Sequence, residues 1–288
     1  MVEPPQLSGP SGEQIYRRRL FALILLAVVV GVAIWAGLTA FRHHRSDAPP
    51  PTTVALPKIV HVLFPEGFTR FEMAERAGSV SRAITAQGYL AATASSPLPG
   101  SFAGDGKRRS LEGFLFPAMY DVYETDPAKT LVKKQTDAFM LNWGKVKLGY
   151  ARSKNLTSYD VLIIASLIEK EVVVPRERPL VAAVIYNRLQ QRMPLGIDAT
   201  VRYGLDIPPT QAITKDDLAS DSPYNTRRLR GLPPTPIANP GLASIQAAAH
   251  PAKVDYLYFV RKPDCRSHFF TASIDSFDAY TRKGLTNC

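Results

Sequence analysis

The stretch from Leu20 to Phe41 constrains this chain more than any other, because it contains no charged residue. A helix rises about 1.5 Å per residue, so a helix of this length spans the ~30 Å hydrocarbon core of a bilayer. A cleaved signal peptide has a shorter apolar core and small residues at its cleavage site, whereas here arginine and histidine follow at 42–45. We therefore predict an uncleaved transmembrane helix over 20–41, preceded by a cytoplasmic tail over 1–19.

The charges that flank this helix favour a cytoplasmic N-terminus. Three arginines at 17–19 precede the apolar stretch, and two arginines at 42 and 45 follow it. Cytoplasmic flanks carry the excess of Lys and Arg, so the side with three arginines is assigned to the cytoplasm. Residues 42–58 contain three consecutive prolines, which exclude helix and favour an extended linker. We expect this linker to hold 59–288 away from the membrane.

The overall charge restricts the kinds of partner. The formal net charge is +10, which suits an anionic partner such as nucleic acid, a lipid surface or an acidic polymer. The positive residues are scattered, however, and the short basic runs near Arg108 and Arg228 have no interleaved aromatic residues. We therefore predict no nucleic-acid partner.

The sequence contains no pattern typical of a metal or cofactor site. None of the histidines is paired with acidic residues at metal-ligand spacing, and there is no glycine-rich phosphate loop or nucleophile elbow. We predict no metal and no cofactor. The two cysteines, Cys265 and Cys288, allow either one disulfide or two free thiols.

The periodicity of the outer region predicts an α+β fold. A strand, two helices and a second strand near Glu112–Tyr123 account for 59–123, and a larger α+β domain accounts for 124–288. Thr69 and Thr157 are each followed three residues later by an acidic residue, which predicts a capping box at both helix starts. Further elements are predicted at Pro127–Trp143, after Pro175, at Gly241–Ala249, at Tyr256–Arg261 and at a hairpin partner beginning at His268.

One predicted helix ends in two carboxylates, Glu169 and Glu171, after an almost wholly apolar run. At about 100° per residue they project some 200° apart, and both have apolar neighbours one turn back, so helical geometry does not choose between them. A glutamate kept in an apolar environment has a raised pKa and can protonate a leaving oxygen, as glycosidases require. The alternative is that the helix emerges from the core and its charged end is solvated.

Six segments occur in an order that is similar to a known family: LEGFLFPAMYDV at Leu111, ASLIEKEV at Ala165, YNRL at Tyr186, GIDATVRYGL at Gly196, SPYNTRRLRGLPPTPIANPG at Ser222 and AAAHPAKVDYLYFV at Ala247. Together they resemble the endolytic murein transglycosylases of the MltG, or YceG-like, family over about 59–280. The resemblance implies a bacterial inner-membrane protein whose enzyme domain lies in the periplasm and acts on peptidoglycan glycan strands. It also implies a LysM-like subdomain, matching 59–123, and raises peptidoglycan synthases as further partners.

The resemblance supplies a catalytic residue and a mechanism. The catalytic glutamate of the family lies in the EKE motif, and Glu169 is assigned to it as the first glutamate. It would protonate the glycosidic oxygen between N-acetylmuramic acid and N-acetylglucosamine. It would then act as base toward the muramic 6-hydroxyl, which leaves a 1,6-anhydromuramyl end and terminates strand elongation.

The same resemblance implies a set of substrate-binding residues: Asp198, Tyr203, Tyr224, Asn225, Thr226 and His268. For each of them the alternative is a local structural role, because Asn and Asp favour turns and a lone histidine is often structural. His268 lies where the family has a Gly-Gly-His-x-Phe element, but PDCRSHFF lacks the glycine pair. Glu177 also matches a family motif; either it orients the site or it pairs with an arginine, and we expect the structural pairing.

Two other functions remain open at this point. One is a non-catalytic adaptor that holds peptidoglycan near the synthetic machinery. The other is an ordinary hydrolase that uses water and a second carboxylate, Asp198 or Glu177, as most glycosidases do.

Overall fold

A long apolar helix begins the described part of the protein. The computed structural model describes residues 12–46, 57–94, 98–100, 102 and 109–284. The chain divides into two compact units, 1–56 and 57–288. In the first unit, α1 (Gly12–Ser46) contains a span, Gly12–Arg42, with a mean hydropathy of 2.7 and no buried residue. This span is long and apolar enough to cross a membrane. The helix begins earlier than predicted, and 1–11 lie outside the described residues.

The second unit begins with the predicted strand–helix–helix–strand arrangement. It consists of β1 (Ile59–Leu63), α2 (Arg70–Val80), α3 (Ala86–Ala94) and β2 (Met119–Tyr123). The two strands pair antiparallel, with Ile59 opposite Tyr123 and Leu63 opposite Met119. Thr69 forms the predicted capping box with Glu72. The order of elements is therefore confirmed, whereas the likeness to a LysM fold stays a prediction.

The second strand is shorter than predicted, because 111–115 form a turn instead of extended chain. The side chain of Asn239 holds this turn: its Oδ1 accepts hydrogen bonds from the backbone N–H groups of Gly113 and Leu115, both at 2.9 Å. Asn239 lies more than a hundred residues away in sequence and is fully buried. A local pattern could not have predicted this interruption.

Helices form the centre of the second unit. They are α4 (Ala128–Trp143), α5 (Gly149–Ser153), α6 (Ser158–Glu171) and α7 (Arg178–Gln190), with a 3-10 turn at Pro175–Glu177 before α7. Pro127 is the N-cap of α4, so the helix begins one residue later than the predicted Pro127–Trp143. Thr157 forms the predicted capping box with Asp160 at the start of α6. Residues 161–168 of α6 are all buried, which makes it the central core helix.

The region from 196 to 241 is mostly irregular, but it contains two short helices. These are α8 (Asp198–Gly204) and α9 (Lys215–Ala219). The chain then forms α10 (Leu242–Ala249), which packs on α6, and a hairpin of β3 (Tyr258–Arg261) and β4 (His268–Thr271), followed by α11 (Ile274–Arg282). The α+β class and the hairpin are confirmed. The boundary predicted at 123/124 stays a prediction, because 57–288 form one unit.

Candidate functional site

Two cavities lined by described residues of the second unit bear on function, and the larger is a cleft of about 1020 Å³. The start of α2, the end of α6, α8 with the loop after it, and the β3–β4 hairpin form its walls. The smaller cavity, of about 530 Å³, has Arg178 and His250 in its lining but no carboxylate among its described residues. An acid-catalysed reaction therefore fits the larger cleft, whose acidic lining residues are Glu72, Glu171, Asp198 and Asp206.

Glu171 is the last residue of α6 and lines this cleft. The buried run before it carries the helix through the core, so its carboxyl reaches the cleft from the apolar side. Burial raises the pKa of Glu171 to about 7; Arg261 and Arg227 oppose the rise, and Asp198 adds to it. Its place at the negative end of the helix dipole also disfavours the charged form. A carboxyl that keeps its proton near neutral pH is suited to general acid catalysis.

Glu169, to which the sequence analysis assigned catalysis, occupies a different environment. Its side chain is only 6% exposed and is absent from the lining of the cleft. Its Oε2 accepts a hydrogen bond from the backbone N–H of Gly241 at 2.9 Å, and its Oε1 lies 3.9 Å from Nη2 of Arg178. Glu169 therefore joins α6 to the start of α10 and to α7. The catalytic role of Glu169 stays a prediction, and these contacts favour a structural role for it, since Glu171 is the glutamate of this helix that lines the cleft.

Three predicted substrate-binding residues in the loop at 222–226 make hydrogen bonds within the protein. Asn225 is fully buried, and its Nδ2 donates to the carbonyls of Leu218 and Ser220. Thr226 Oγ1 accepts from the N–H of Ile197 at 3.1 Å. The Tyr224 hydroxyl is 2.8 Å from Thr235 Oγ1. None of the three lines the cleft, so their positions support the structural alternative.

Asp198 and Tyr203 do line the cleft, as their assignment requires. Asp198 Oδ1 accepts a hydrogen bond from Nε of Arg227 at 2.5 Å, and the side chain of Asp198 remains half exposed. Tyr203 donates its hydroxyl proton to Oε2 of Glu112 at 3.1 Å, so its ring forms a fixed wall of the cleft.

Glu112 was missed by the sequence analysis. It is fully buried and accepts hydrogen bonds from the N–H of Arg70 and from Nδ2 of Asn239 as well as from Tyr203. Burial raises the pKa of Glu112 to about 7, although the hydrogen bonds from Arg70 and Tyr203 oppose the rise. This network ties α2 and the 111–115 turn to one wall of the cleft. No local sequence pattern predicts this network, because its members lie far apart in sequence.

His268 lines the cleft and is almost completely buried. Its Nδ1 is 2.7 Å from Oε2 of Glu177, and its backbone N–H donates to Oε1 of the same carboxylate. A carboxylate at this distance requires a donor, so Nδ1 carries a proton. Nε2 has no hydrogen-bond partner among the described residues. The expected partner of Glu177 was an arginine; the structure pairs it with His268 instead.

The fold and this cleft define a class of protein: an α+β domain in which a protonatable carboxyl faces a large cleft, an arrangement suited to acid catalysis. The chain belongs to the YceG-like family, whose model matches residues 36–283.

Two curated relatives support this membership. The chain is 40% identical over 159 residues to a protein of Bacillus subtilis named endolytic murein transglycosylase, an alignment that covers 54% of this chain and 43% of the relative. It is 34% identical over 229 residues to a protein of the same name from Streptococcus pneumoniae, covering 71% of this chain and 41% of the relative. The chain thus spans about two fifths of the length of the curated relatives it matches.

A solved structure agrees with the fold. The crystal structure of a yceG-like protein from Listeria monocytogenes superposes with a TM-score of 0.67 at 28% identity, covering 76% of this chain and 75% of that one.

Proposed function

We propose that this protein is a membrane-anchored lytic transglycosylase of murein and that Glu171 is its general acid and base. The observation that carries the proposal is the position of Glu171, a carboxyl with a pKa of about 7 that lines the large cleft. The substrate is inferred from the relatives, which are named endolytic murein transglycosylases.

The reaction uses one carboxyl group, first in its protonated form and then in its ionised form. Protonated Glu171 donates its proton to the glycosidic oxygen between N-acetylmuramic acid and N-acetylglucosamine, and the bond from that oxygen to C1 breaks. The resulting carboxylate then removes the proton of the muramic 6-hydroxyl, whose oxygen closes onto C1. The product is a 1,6-anhydromuramyl end, no water is consumed, and Glu171 regains its proton.

The other carboxylates of the cleft favour this reaction over hydrolysis. A hydrolase needs a second carboxylate that is free to act on water or on the sugar. Asp198 is held by Arg227, and Glu72 accepts the N–H of Thr69 at 2.7 Å in a capping box. Asp206 is exposed. Glu177, the other hydrolase candidate, is engaged by His268.

The proposal also covers the location of the protein and its partners. We propose that α1 crosses the cytoplasmic membrane once and leaves the catalytic unit in the periplasm, since murein lies outside the cytoplasm. The unit at 59–123 would act as a LysM-like glycan-holding element beside the cleft. Association with peptidoglycan synthases would place the enzyme on nascent strands.

A matched pair of variants tests the assignment. Glu171→Gln keeps the shape of the side chain but removes its titration, so we expect the release of anhydro ends to fall at least about 100-fold. Glu169→Gln, two residues away on the same helix, retains activity at temperatures below its unfolding midpoint. The measurement is mass spectrometry of digested murein, with thermal unfolding of both variants as a check on folding.

The products also separate the alternatives. Anhydro ends identify a lyase and reducing ends identify a hydrolase. Strands that bind and stay intact identify an adaptor. Full activity of Glu171→Gln would refute the role of this residue.

A further inference from the structure

The β3–β4 hairpin presents two side chains to the cleft from directly opposite positions. Arg261 on β3 is paired in register with His268 on β4, and both line the cleft. Residues directly opposite each other in an antiparallel pair point to the same face, with Cβ atoms roughly 5 Å apart. The side chain of Arg261 therefore leaves the hairpin on the same face as the imidazole of His268.

Arg261 differs from the other Arg and Lys side chains of the cleft, each of which donates at least one hydrogen bond to the protein. Arg188 donates to the carbonyls of Leu257 and Leu195, and Arg202 donates to those of Pro208 and Gln211. The remaining two, Arg227 and Lys170, contact Asp198 and the carbonyl of Gly67. Within the part of the chain that the structure describes, the side chain of Arg261 makes no hydrogen bond and no ion pair. Its planar set of donors is therefore available to a ligand.

Arg261 also lies close to the proposed acid. The charged groups that act on Glu171 come from three elements: Arg261 from β3, Asp198 from α8 and Arg227 from the loop after residue 226. Arg261 has the largest effect of the three, yet no guanidinium nitrogen of Arg261 approaches the Glu171 carboxyl closely enough to form an ion pair. Arg261 thus lines the cleft close enough to Glu171 to act on its charge, without forming an ion pair with it.

Guanidinium groups bind carboxylates through two parallel hydrogen bonds. In murein, the muramic sugar next to the scissile bond carries a lactyl group, which either ends in a free carboxylate or continues into a stem peptide with its own carboxylates. We propose that Arg261 is a specificity-determining residue that binds a carboxylate on this substituent of the muramic sugar. The inference rests on the proposed function, and it adds that the enzyme distinguishes strands by their acidic substituents.

The test compares three preparations of the same murein strands. The first is intact, the second has its stem carboxylates converted to primary amides with a carbodiimide and ammonia, and the third has its stems removed, which leaves the lactyl carboxylate. We expect Arg261→Ala to raise KM about tenfold on the strands that carry the recognised carboxylate, with a much smaller change in kcat. Amidation should raise the KM of the wild-type protein by the same factor and leave that of Arg261→Ala unchanged, if a stem carboxylate is the partner. If the lactyl carboxylate is the partner, the wild-type protein should instead bind stem-free strands about tenfold better than the variant.

Two further variants control for charge and for folding. Arg266→Ala removes an equal charge from the exposed turn of the same hairpin, outside the cleft, and should behave like the wild type. Arg261→Lys should restore part of the affinity, because it keeps the charge but loses the paired hydrogen bonds. Arg261→Ala should also move the alkaline limb of the pH–rate profile to higher pH, because Arg261 lowers the pKa of Glu171. A merely structural residue would not give this combination.

Binding to the inactive Glu171→Gln chain separates the two proposals. If the wild-type protein releases no anhydro ends, the proposed function fails. Preference of the Glu171→Gln chain for carboxylate over amidated strands, lost on adding Arg261→Ala, would still support the site. Equal affinity of Arg261→Ala and wild type for all three preparations would overturn it.

Discussion

At the scale of single residues, Glu169 and Glu171 show how two positions on one helix come to differ. Both follow the same buried run, but Glu169 accepts the N–H of Gly241 beside Arg178, and Glu171 opens into the cleft. The first side chain joins three segments of the chain, whereas the second is left without a hydrogen bond from the described residues. The glutamate whose side chain makes no hydrogen bond to the described residues is the one available for chemistry.

The pKa of Glu171 predicts how activity depends on pH. The acid must carry its proton in the first step, so kcat/KM should be constant well below pH 7 and fall tenfold per pH unit above about 7. Asp198 raises the pKa of Glu171, so replacing Asp198 with Asn should lower that pKa. The same change frees Arg227, whose charge lowers the pKa of Glu171 further. In Asp198→Asn the alkaline limb should therefore begin at lower pH. The measurement is kcat/KM for anhydro-end formation from pH 5 to 9 in both proteins.

Asp216→Asn is a suitable control, because it removes an equal charge from α9, outside the lining of the cleft. Its profile should match that of the wild type. An alkaline limb that starts near pH 5, or that moves upward in Asp198→Asn, would contradict the role of Glu171 as the acid.

The sequence indicated the EKE segment but not which of its carboxylates faces the cleft. That choice depends on where 241 and 178 lie around α6, and those contacts are not encoded in the local pattern. Similarly, Asn225 and Thr226 carry sugar-binding chemistry in their side chains, yet backbone groups of the surrounding loops use it. Residue type predicts what a group can do, whereas its neighbours decide whether it is free to do it.

At the scale of elements, predictions succeeded where the signal is local. The capping boxes at Thr69 and Thr157 involve residues three positions apart, so each helix start could be read directly. The strand predicted at 112 failed because its N–H groups bind a side chain at 239. The same asparagine donates through Nδ2 to the carbonyl of Phe68, so one buried amide joins three segments that the sequence separates widely.

This turn supplies a prediction about stability. Gly113 has φ +88°, and a Cβ there would meet two carbons of Pro236 at 2.7 Å and a methyl of Leu162 at 3.3 Å. Gly113→Ala combines a strained backbone with a clash against a rigid ring. We expect it to lower the free energy of unfolding by about 2–4 kcal/mol, as measured by urea denaturation.

Gly149→Ala is the matched control, because nothing lies within 4 Å of a Cβ at this helical position. We expect it to be neutral or to stabilise by up to ~1 kcal/mol. A similar effect of the two substitutions would mean that the turn at 113 relaxes freely, and the account of the Asn239 network would then be wrong.

At the scale of the whole molecule, the two units differ in how their apolar side chains are placed. The buried apolar side chains of the described residues all belong to the second unit, whereas the described side chains of α1 are almost entirely exposed, as expected for a helix whose surroundings are lipid. The lining of the cleft also comes wholly from the second unit, between Thr69 and Phe277. Folding and catalysis should therefore both be independent of the anchor.

A chain that begins at residue 57 tests this independence. Because it loses no described core residue, its thermal unfolding midpoint should match that of the full-length protein in the same detergent. Its kcat/KM on detergent-suspended murein should match as well, since the cleft is complete.

Only the full-length protein should stay with membranes after extraction with alkaline carbonate, because an apolar helix that spans the bilayer is not released by loss of charge interactions. A midpoint several degrees lower in the shorter chain would mean that α1 packs against the second unit, and a full-length protein released by carbonate would mean that α1 does not span the membrane.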